Sequence, residues 1–323
     1  MHMTDLSLKI FDETLRDGEQ QAGVCYSYAS KSDLARLIAR TGVQQIDLMP
    51  AVDEEEANLA RALVHDGLGP LLTAATPIGK SFVDQAQACG LSRIILFYAT
   101  SDRLLFLRDP EVRLDPSLKG KTVDDDIPRA VIQRVRDNMI RRVMESLCYA
   151  TSEGVHLQVD FAAEDASRAD TDFLVQCIRE FGPHLGHFLL CDTVGVLRPE
   201  ATPRWVAQLL AAAGNARLGV HFHNDMGLAL ENTLQAVLAG ATMVSGTFGG
   251  IGERAGNVAL EQVLDGLRLR HNLRVAGIDY DAVPSVTAYL DGLGFRPAPP
   301  YSRAAQRHVS GIHVQSLLQD TRR

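Results

Sequence analysis

Short runs rich in Ile, Leu, Val and Phe alternate with helical patterns eight times along this chain, and that alternation constrains the fold more than any other feature. The strand-like runs are Leu8–Asp12, Gln45–Leu48, Leu71–Ala75, Arg93–Tyr98, His156–Phe161, His187–Cys191, Leu218–Phe222 and Met243–Thr247. Helix candidates lie near 30–41, 53–65, 80–89, 129–152, 170–181, 200–213, 227–239 and 256–270, several opened by the Ser, Asp or Pro that helix starts favour. Strands joined through helices are parallel, because a parallel pair needs a long crossover. Eight such units with no break into halves predict an α/β fold of the closed (β/α)8 type, a TIM barrel, rather than an open doubly wound sheet.

The barrel is expected over residues 1–270, with a linker and a small helical extension over 271–323. Within that extension RPAPPY at 296–301 reads as a linker, and SGIHVQSLL at 310–318 as a short helix that closes over the barrel or a partner subunit. Asp109–Pro128 carries charges, a glycine and three prolines without a clear period, so it reads as a long loop, of the kind that covers a site or is disordered.

Composition excludes several classes of function. A net charge of −8, with acids and bases interspersed, lacks the basic stripe of a nucleic-acid surface. A mean hydropathy of −0.03, with no apolar run near the ~18 residues that a span needs, predicts no membrane segment. Five scattered cysteines without a CxxC pair suggest neither a disulfide framework nor a zinc knot. With no leader segment evident, the expected setting is the reducing cytoplasm and the expected partners are small molecules.

In LGVHFHND at 218–225, His221 and His223 stand two apart in a strand, so both imidazoles project from one face and can reach one metal ion. Alone, the pair fits a half-exposed strand equally well. Two more polar clusters end strand-like runs, however: FDETLRDGEQ at 11–20 and GTFGGIGERAGN at 246–257. Active sites of such barrels lie at the C-terminal strand ends, where Asp17, Glu164, Asp192, Thr193, His221, His223 and Asn257 would meet. One carboxylate, two imidazoles and the Asn257 amide make a three- or four-ligand site that leaves Mg²⁺, Mn²⁺ and Zn²⁺ open. Arg16 is placed to stabilise an enolate or alkoxide oxygen, or else to form a structural ion pair with Glu164 or Glu13. The glycines at 249, 250, 252 and 256 lack the spacing of a phosphate loop and read as tight backbone on the rim.

FDETLRDGEQ, EDASRAD at 164–170, DTVG at 192–195, HFHNDMGLALEN at 221–232 and GTFGGIGERAGN, in that order, resemble the DRE-TIM metallolyases. Within these the likeness is to the Claisen-condensing branch of 2-isopropylmalate, homocitrate and citramalate synthases. The resemblance implies that Asp17, His221 and His223, with Asn257 as a further ligand, bind a divalent metal that chelates a 2-oxo acid. It gives Arg16 the charge on the reacting oxygens, Gln20 and Thr193 the oxo acid, Glu164 a place beside the substrates, and His313 in SGIH acid/base catalysis. The implied reaction condenses acetyl-CoA, or a related acyl-CoA, with the oxo acid to a 2-hydroxy dicarboxylate and free CoA. A homodimer is implied as well.

Departures from the branch point to a remodelled oxo-acid pocket. Asp160 and Ala162 stand where homocitrate synthases hold a distal carboxylate with an arginine and a serine. Ser101-Asp102-Arg103-Leu104 loses a pocket histidine and adds Arg103, which can pair with an anionic tail or remain a solvated loop residue. Ile46–Pro50 is one residue shorter than the usual second-strand motif. Leucine-type feedback is not expected. The alternative within the same barrels is an acyl-CoA lyase or a 2-oxo acid aldolase, but GGIGERAGN lacks the lid cysteine of that lyase branch. A non-catalytic, ligand-binding barrel is a further reading, against which stand Arg16, Asp17, His221 and His223.

Overall fold

The structure, a computed structural model, describes residues 3–307. The chain opens on a three-residue strand outside the barrel, β1 (Thr4–Leu6). The barrel strands follow: β2 (Lys9–Asp12), β3 (Gln45–Leu48), β4 (Leu72–Pro77), β5 (Arg93–Ala99), β6 (Gln158–Glu164), β7 (Phe188–Asp192), β8 (Leu218–Phe222) and β9 (Met243–Gly246). They pair in sequence order, all parallel, and β9 returns to β2, so no barrel edge is left open. Each of the eight lies within a few residues of its predicted run.

Around the barrel run α1 (Tyr28–Arg40), α2 (Glu54–Leu63), α3 (Lys80–Ala88), α4 (Asp102–Arg108), α5 (Pro110–Leu114), α6 (Arg129–Ala150), α7 (Thr171–Phe181), α8 (Thr202–Ala212), α9 (Ala229–Leu238) and α10 (Leu260–His271). Their starts are set by local chemistry. Ser27, Asp53, Ser101 and Asp170 each accept a hydrogen bond from the backbone N–H three residues on, satisfying a donor that the first turn leaves free. The apolar faces of the helices join the outer faces of the strands in one core, whereas Phe11, Met49, Ala75, Ile95, Leu189, Cys191 and Met243 pack separately inside the barrel.

Two regions depart from expectation. The segment expected as a loop from Asp109 begins as α5, because Asp109 caps the Glu111 and Val112 N–H groups and Pro110 occupies the first turn, where its missing N–H is harmless. In the extension, expected as a linker and a small helix, α11 (Val283–Gly292) packs against α1, and the unexpected element is β10 (Leu273–Val275), which pairs with β1. Three-residue strands are too short to show a period. The 310–318 segment lies outside the described residues, and the linker after α11 crosses the barrel mouth. Phe295 packs edge-on to Tyr26 after β2, Gln21 donates to the Arg296 carbonyl, and Tyr301 Oη donates to the Met226 carbonyl after β8 at 3.3 Å. Among the described residues no helix is long and apolar enough to cross a membrane.

Candidate active site

Strand parity sends Glu13, Asp47, Glu164, His221 and Ser245 into the barrel near its C-terminal mouth, and the turn after β2 brings Asp17 over them. Asp17, His221 and His223 are all buried, and one ligand atom from each lies within 4.8 Å of the other two. The two Nε2 atoms are 3.2 Å apart, and Asp17 Oδ2 is 3.8 Å from the first and 4.0 Å from the second. The other nitrogen of His221 is engaged: Nδ1 lies 3.2 Å from Glu13 Oε1 and 3.0 Å from Ser245 Oγ, which itself donates to Glu13. With its proton on Nδ1 the ring turns the Nε2 lone pair toward Asp17, the arrangement in which an outer carboxylate orients a metal-binding histidine.

Asn257 closes the set. Its Nδ2 donates to Asp17 Oδ1 at 2.8 Å and to the Ile251 carbonyl at 3.2 Å, while its Oδ1 is buried with no partner. Gly252 makes that approach possible, since a Cβ there would lie 2.2 Å from Asn257 Nδ2 and 2.7 Å from Asp17 Oδ1.

Arg16 is shared among three carboxylates: Nε donates to Asp47 Oδ2 at 2.7 Å, Nη1 to Asp17 at 3.4 Å, and Nη2 to Glu13. Burial works against charge on all three. Arg16 and His221 overcome it at Glu13, which is held down to about 2, and the imidazoles with Arg16 hold Asp17 well below the carboxylate range. Asp47 loses that competition, and burial, only partly offset by Arg16, pushes it up to about 8. Burial likewise pushes His223 down to about 4, so its ring is neutral near pH 7, as ligation requires. The orphaned Asn257 oxygen and the facing imidazole nitrogens beside the Asp17 carboxylate fit a divalent cation.

Beneath this cluster lies a cavity of about 60 Å³ walled by Ala75, Ile95, Phe97, Ala162, Leu189 and Cys191, with Glu164 and Thr193 at its upper edge. A second, outer cavity of about 650 Å³ runs between the starts of α1 and α2, and its lining includes Leu15, Gln20, Tyr26, Lys31 and Met49. Arg16 lines both.

The structure brings Arg16, Asp17, Glu164, Thr193, His221, His223 and Asn257 to one mouth, and Gln20 to the adjoining outer cavity. Two of the residues read as substrate-binding lie elsewhere. Arg103 is paired with Asp124 at 3.3 Å and lines neither cavity, because α4 carries it outward. Asp160 sits two residues below Ala162 on β6, roughly 6–7 Å deeper, where it accepts from His187 N–H at 2.7 Å and from Gln45 Nε2 at 2.9 Å. His313 lies outside the described residues. Asp47 and Arg108 were not foreseen as part of the site, whereas the Arg16–Glu13 pair is one of the two weighed for Arg16 from the sequence. Glu13 and Asp47 hold Arg16, and Arg108 grips both oxygens of Glu164 at 2.5 and 2.8 Å. The alternation of β2 and β3 puts Glu13 and Asp47 inward and so offered a signal, but nothing local to Arg108 points to Glu164. Asp225 pins the rim turn by a bidentate pair with Arg254 at 2.8 and 2.9 Å.

The family model described as HMGL-like matches residues 7–118 and 121–289. The chain belongs to the HMGL-like family. Among its relatives, homocitrate synthase AksA of Methanothermobacter thermautotrophicus is 33% identical over 320 residues, covering 97% of this chain and 75% of the relative. A probable 2-isopropylmalate synthase of Ignicoccus hospitalis is 33% identical over 319 residues, covering 96% and 73%. Among solved structures, hydroxymethylglutaryl-CoA lyase from Pseudomonas aeruginosa superposes with a TM-score of 0.68 at 21% identity, covering 95% of this chain and 98% of that one. This last likeness bears on the fold alone. The buried Asp17–His221–His223 group of this HMGL-like barrel is consistent with the family's divalent metal site.

Proposed function

We propose that this barrel is an acyl-CoA:2-oxo acid acyltransferase that condenses acetyl-CoA, or a related acyl-CoA, with a 2-oxo acid. The α-carbon of the thioester loses a proton and bonds to the ketone carbon of the oxo acid, whose oxygen is protonated. Water then cleaves the thioester, so that acyl-CoA, oxo acid and water become a 2-hydroxy dicarboxylate and CoA. The observation that carries this reading is the convergence of Asp17, His221, His223 and the unpartnered Asn257 oxygen at one end of a small, largely apolar-walled cavity. The naming of relatives as homocitrate and 2-isopropylmalate synthases supports the same reaction class.

Asp17, His221, His223 and Asn257 would hold a divalent cation, which when bound would supply a Lewis acid for the ketone oxygen. Arg16, fixed by Glu13 and Asp47, offers the cationic group nearest both cavities, and so can serve charge that develops on either substrate. Thr193 flanks the oxo acid in the inner cavity, and Gln20 is assigned to it from the adjoining outer cavity. Two cavities that meet at Arg16 suit a reaction of two substrates. His313 is assigned the proton transfers, and the chain is taken to be a homodimer, which light scattering tests.

The deciding assay is release of CoA thiol from acetyl-CoA with Mg²⁺, Mn²⁺ or Zn²⁺ and a panel of 2-oxo acids. Metal-dependent release that His221→Ala abolishes supports the condensation. Cleavage of a 3-hydroxyacyl-CoA or a 4-hydroxy-2-oxo acid, with no release from any pairing in the panel, would replace it by a lyase or an aldolase.

A further inference from the structure

We infer that the 2-oxo acid used here carries a short, uncharged, apolar tail. The inference rests on the proposed condensation, because it takes the metal end of the inner cavity as the end that holds the carboxylate and ketone. The opposite end is then the tail site, and its walls are set by strand register. Ala75 of β4 stands beside Ile95 of β5, Phe97 of β5 beside Ala162 of β6, and Ala162 beside Leu189 of β7. With Cys191 these side chains make a continuous apolar wall on three sides. The two alanines leave the space, and the whole inner cavity, metal end included, measures about 60 Å³, which favours a short tail.

An anionic tail would need a cation at that end, and among the described residues no basic side chain lines it; Lys9 lies at the floor beside Asp160 and is not part of the lining. Among the described residues Arg16 is the one Lys or Arg in the lining, and it is held at the metal end by Glu13, Asp17 and Asp47, where His221 and His223 also stand. Arg103 lies outside, against Asp124. Arg108 does not line the cavity and places two nitrogens on Glu164, so what the cavity meets there is the Glu164 carboxylate. A second carboxylate, or a phosphonate, in this wall would be desolvated beside a like charge. A methyl or isopropyl group would exchange water for apolar contacts, and each methylene in such a pocket is worth about 10-fold or more in discrimination.

The test is calorimetric binding of six oxo acids to the Mg²⁺-loaded full chain without acetyl-CoA: pyruvate, 2-oxobutyrate, 2-oxoisovalerate, oxaloacetate, 2-oxoglutarate and phosphonopyruvate. At least one of the first three should bind about tenfold or more tighter than every one of the last three. Equal or tighter binding of a dianionic acid overturns the inference while leaving the condensation intact. Binding in the expected order without thiol release on adding acetyl-CoA sinks the condensation and keeps the tail assignment. Binding of none of the six sinks both. Ala162→Leu, its fold checked by circular dichroism, gives an independent reading: 2-oxoisovalerate should weaken by about tenfold or more and pyruvate by less than about threefold. An equal loss for both would remove Ala162 from the tail wall.

Discussion

The two ends of the barrel interior hold the same kinds of side chain and use them differently. At the mouth Asp17 faces His221 and His223; at the floor Asp160 faces His187, 3.7 Å from its Nδ1, with Lys9 and Gln45 nearby. Both clusters are buried. On Asp160 each oxygen has a donor of its own, the His187 N–H on Oδ1 and the Gln45 amide on Oδ2. On Asp17 the donors from Glu253 N–H and Asn257 fall on Oδ1, while Oδ2, reached only by Arg16 at 3.4 Å, faces two imidazole nitrogens. A buried acid whose lone pairs are consumed by neutral donors is structural. The floor keeps unpartnered atoms too, His187 Nδ1 and Gln45 Oε1, but both Asp160 oxygens are taken, whereas at the mouth Asp17 Oδ2 and two imidazole nitrogens converge as a candidate metal site.

Breaking the mouth should have the largest effect. His223→Ala is expected to lower metal-dependent thiol release by at least about 10²-fold, read in the CoA assay, with little change in the urea midpoint. Breaking the floor should do the reverse. Asp160→Ala leaves the His187 N–H and the Gln45 amide without their acceptor, and should cost about 2–4 kcal/mol of stability by urea titration, with kcat/KM nearly unchanged. If Asp160→Ala abolished turnover of a folded protein, the division of the interior into two ends would fail.

Smaller effects sharpen the contrast. Glu13→Gln keeps the shape at His221 Nδ1 but weakens the charge that orients the ring, so Mn²⁺ affinity by calorimetry should fall roughly 10–100-fold. The smallest effect is on the acid limb of stability. Burial favours the protonated form of Asp160, but the hydrogen bonds from His187 and Gln45 outweigh it, and its folded pKa lies below the ordinary 3.8. The unfolded chain therefore takes up this proton first as pH falls. The contribution of Asp160 is present above about pH 4 and is lost as pH drops through the folded value. Thermal melts of Asp160→Asn should fall less steeply than those of the parent below about pH 4, and parallel slopes would show that Asp160 carries no such linkage.

The convergence of the candidate metal group was legible before any coordinates. His221 and His223 two apart on a strand must share a face, and both they and the DETLRD turn stand at C-terminal strand ends, which every parallel barrel gathers on one rim. The depth of Asp160 was not. Parity sends residues 160, 162 and 164 inward alike, but which of them reaches the mouth depends on how far β6 is staggered against its neighbours. Arg103 and Arg108 were open for a related reason: both follow β5 on one short helix, and only the direction in which α4 leaves the barrel turns one outward to Asp124 and the other inward to Glu164.

What the sequence determined by itself was therefore periodic and local: eight strand–helix units, their capped helix starts, and an i, i+2 histidine pair beside acid-bearing turns. These follow from backbone geometry that repeats every two or 3.6 residues. Tertiary structure alone decided which carboxylate shares Arg16, which arginine holds Glu164 and which end of the barrel receives Asp160, because each depends on stagger and helix direction summed over the closed sheet.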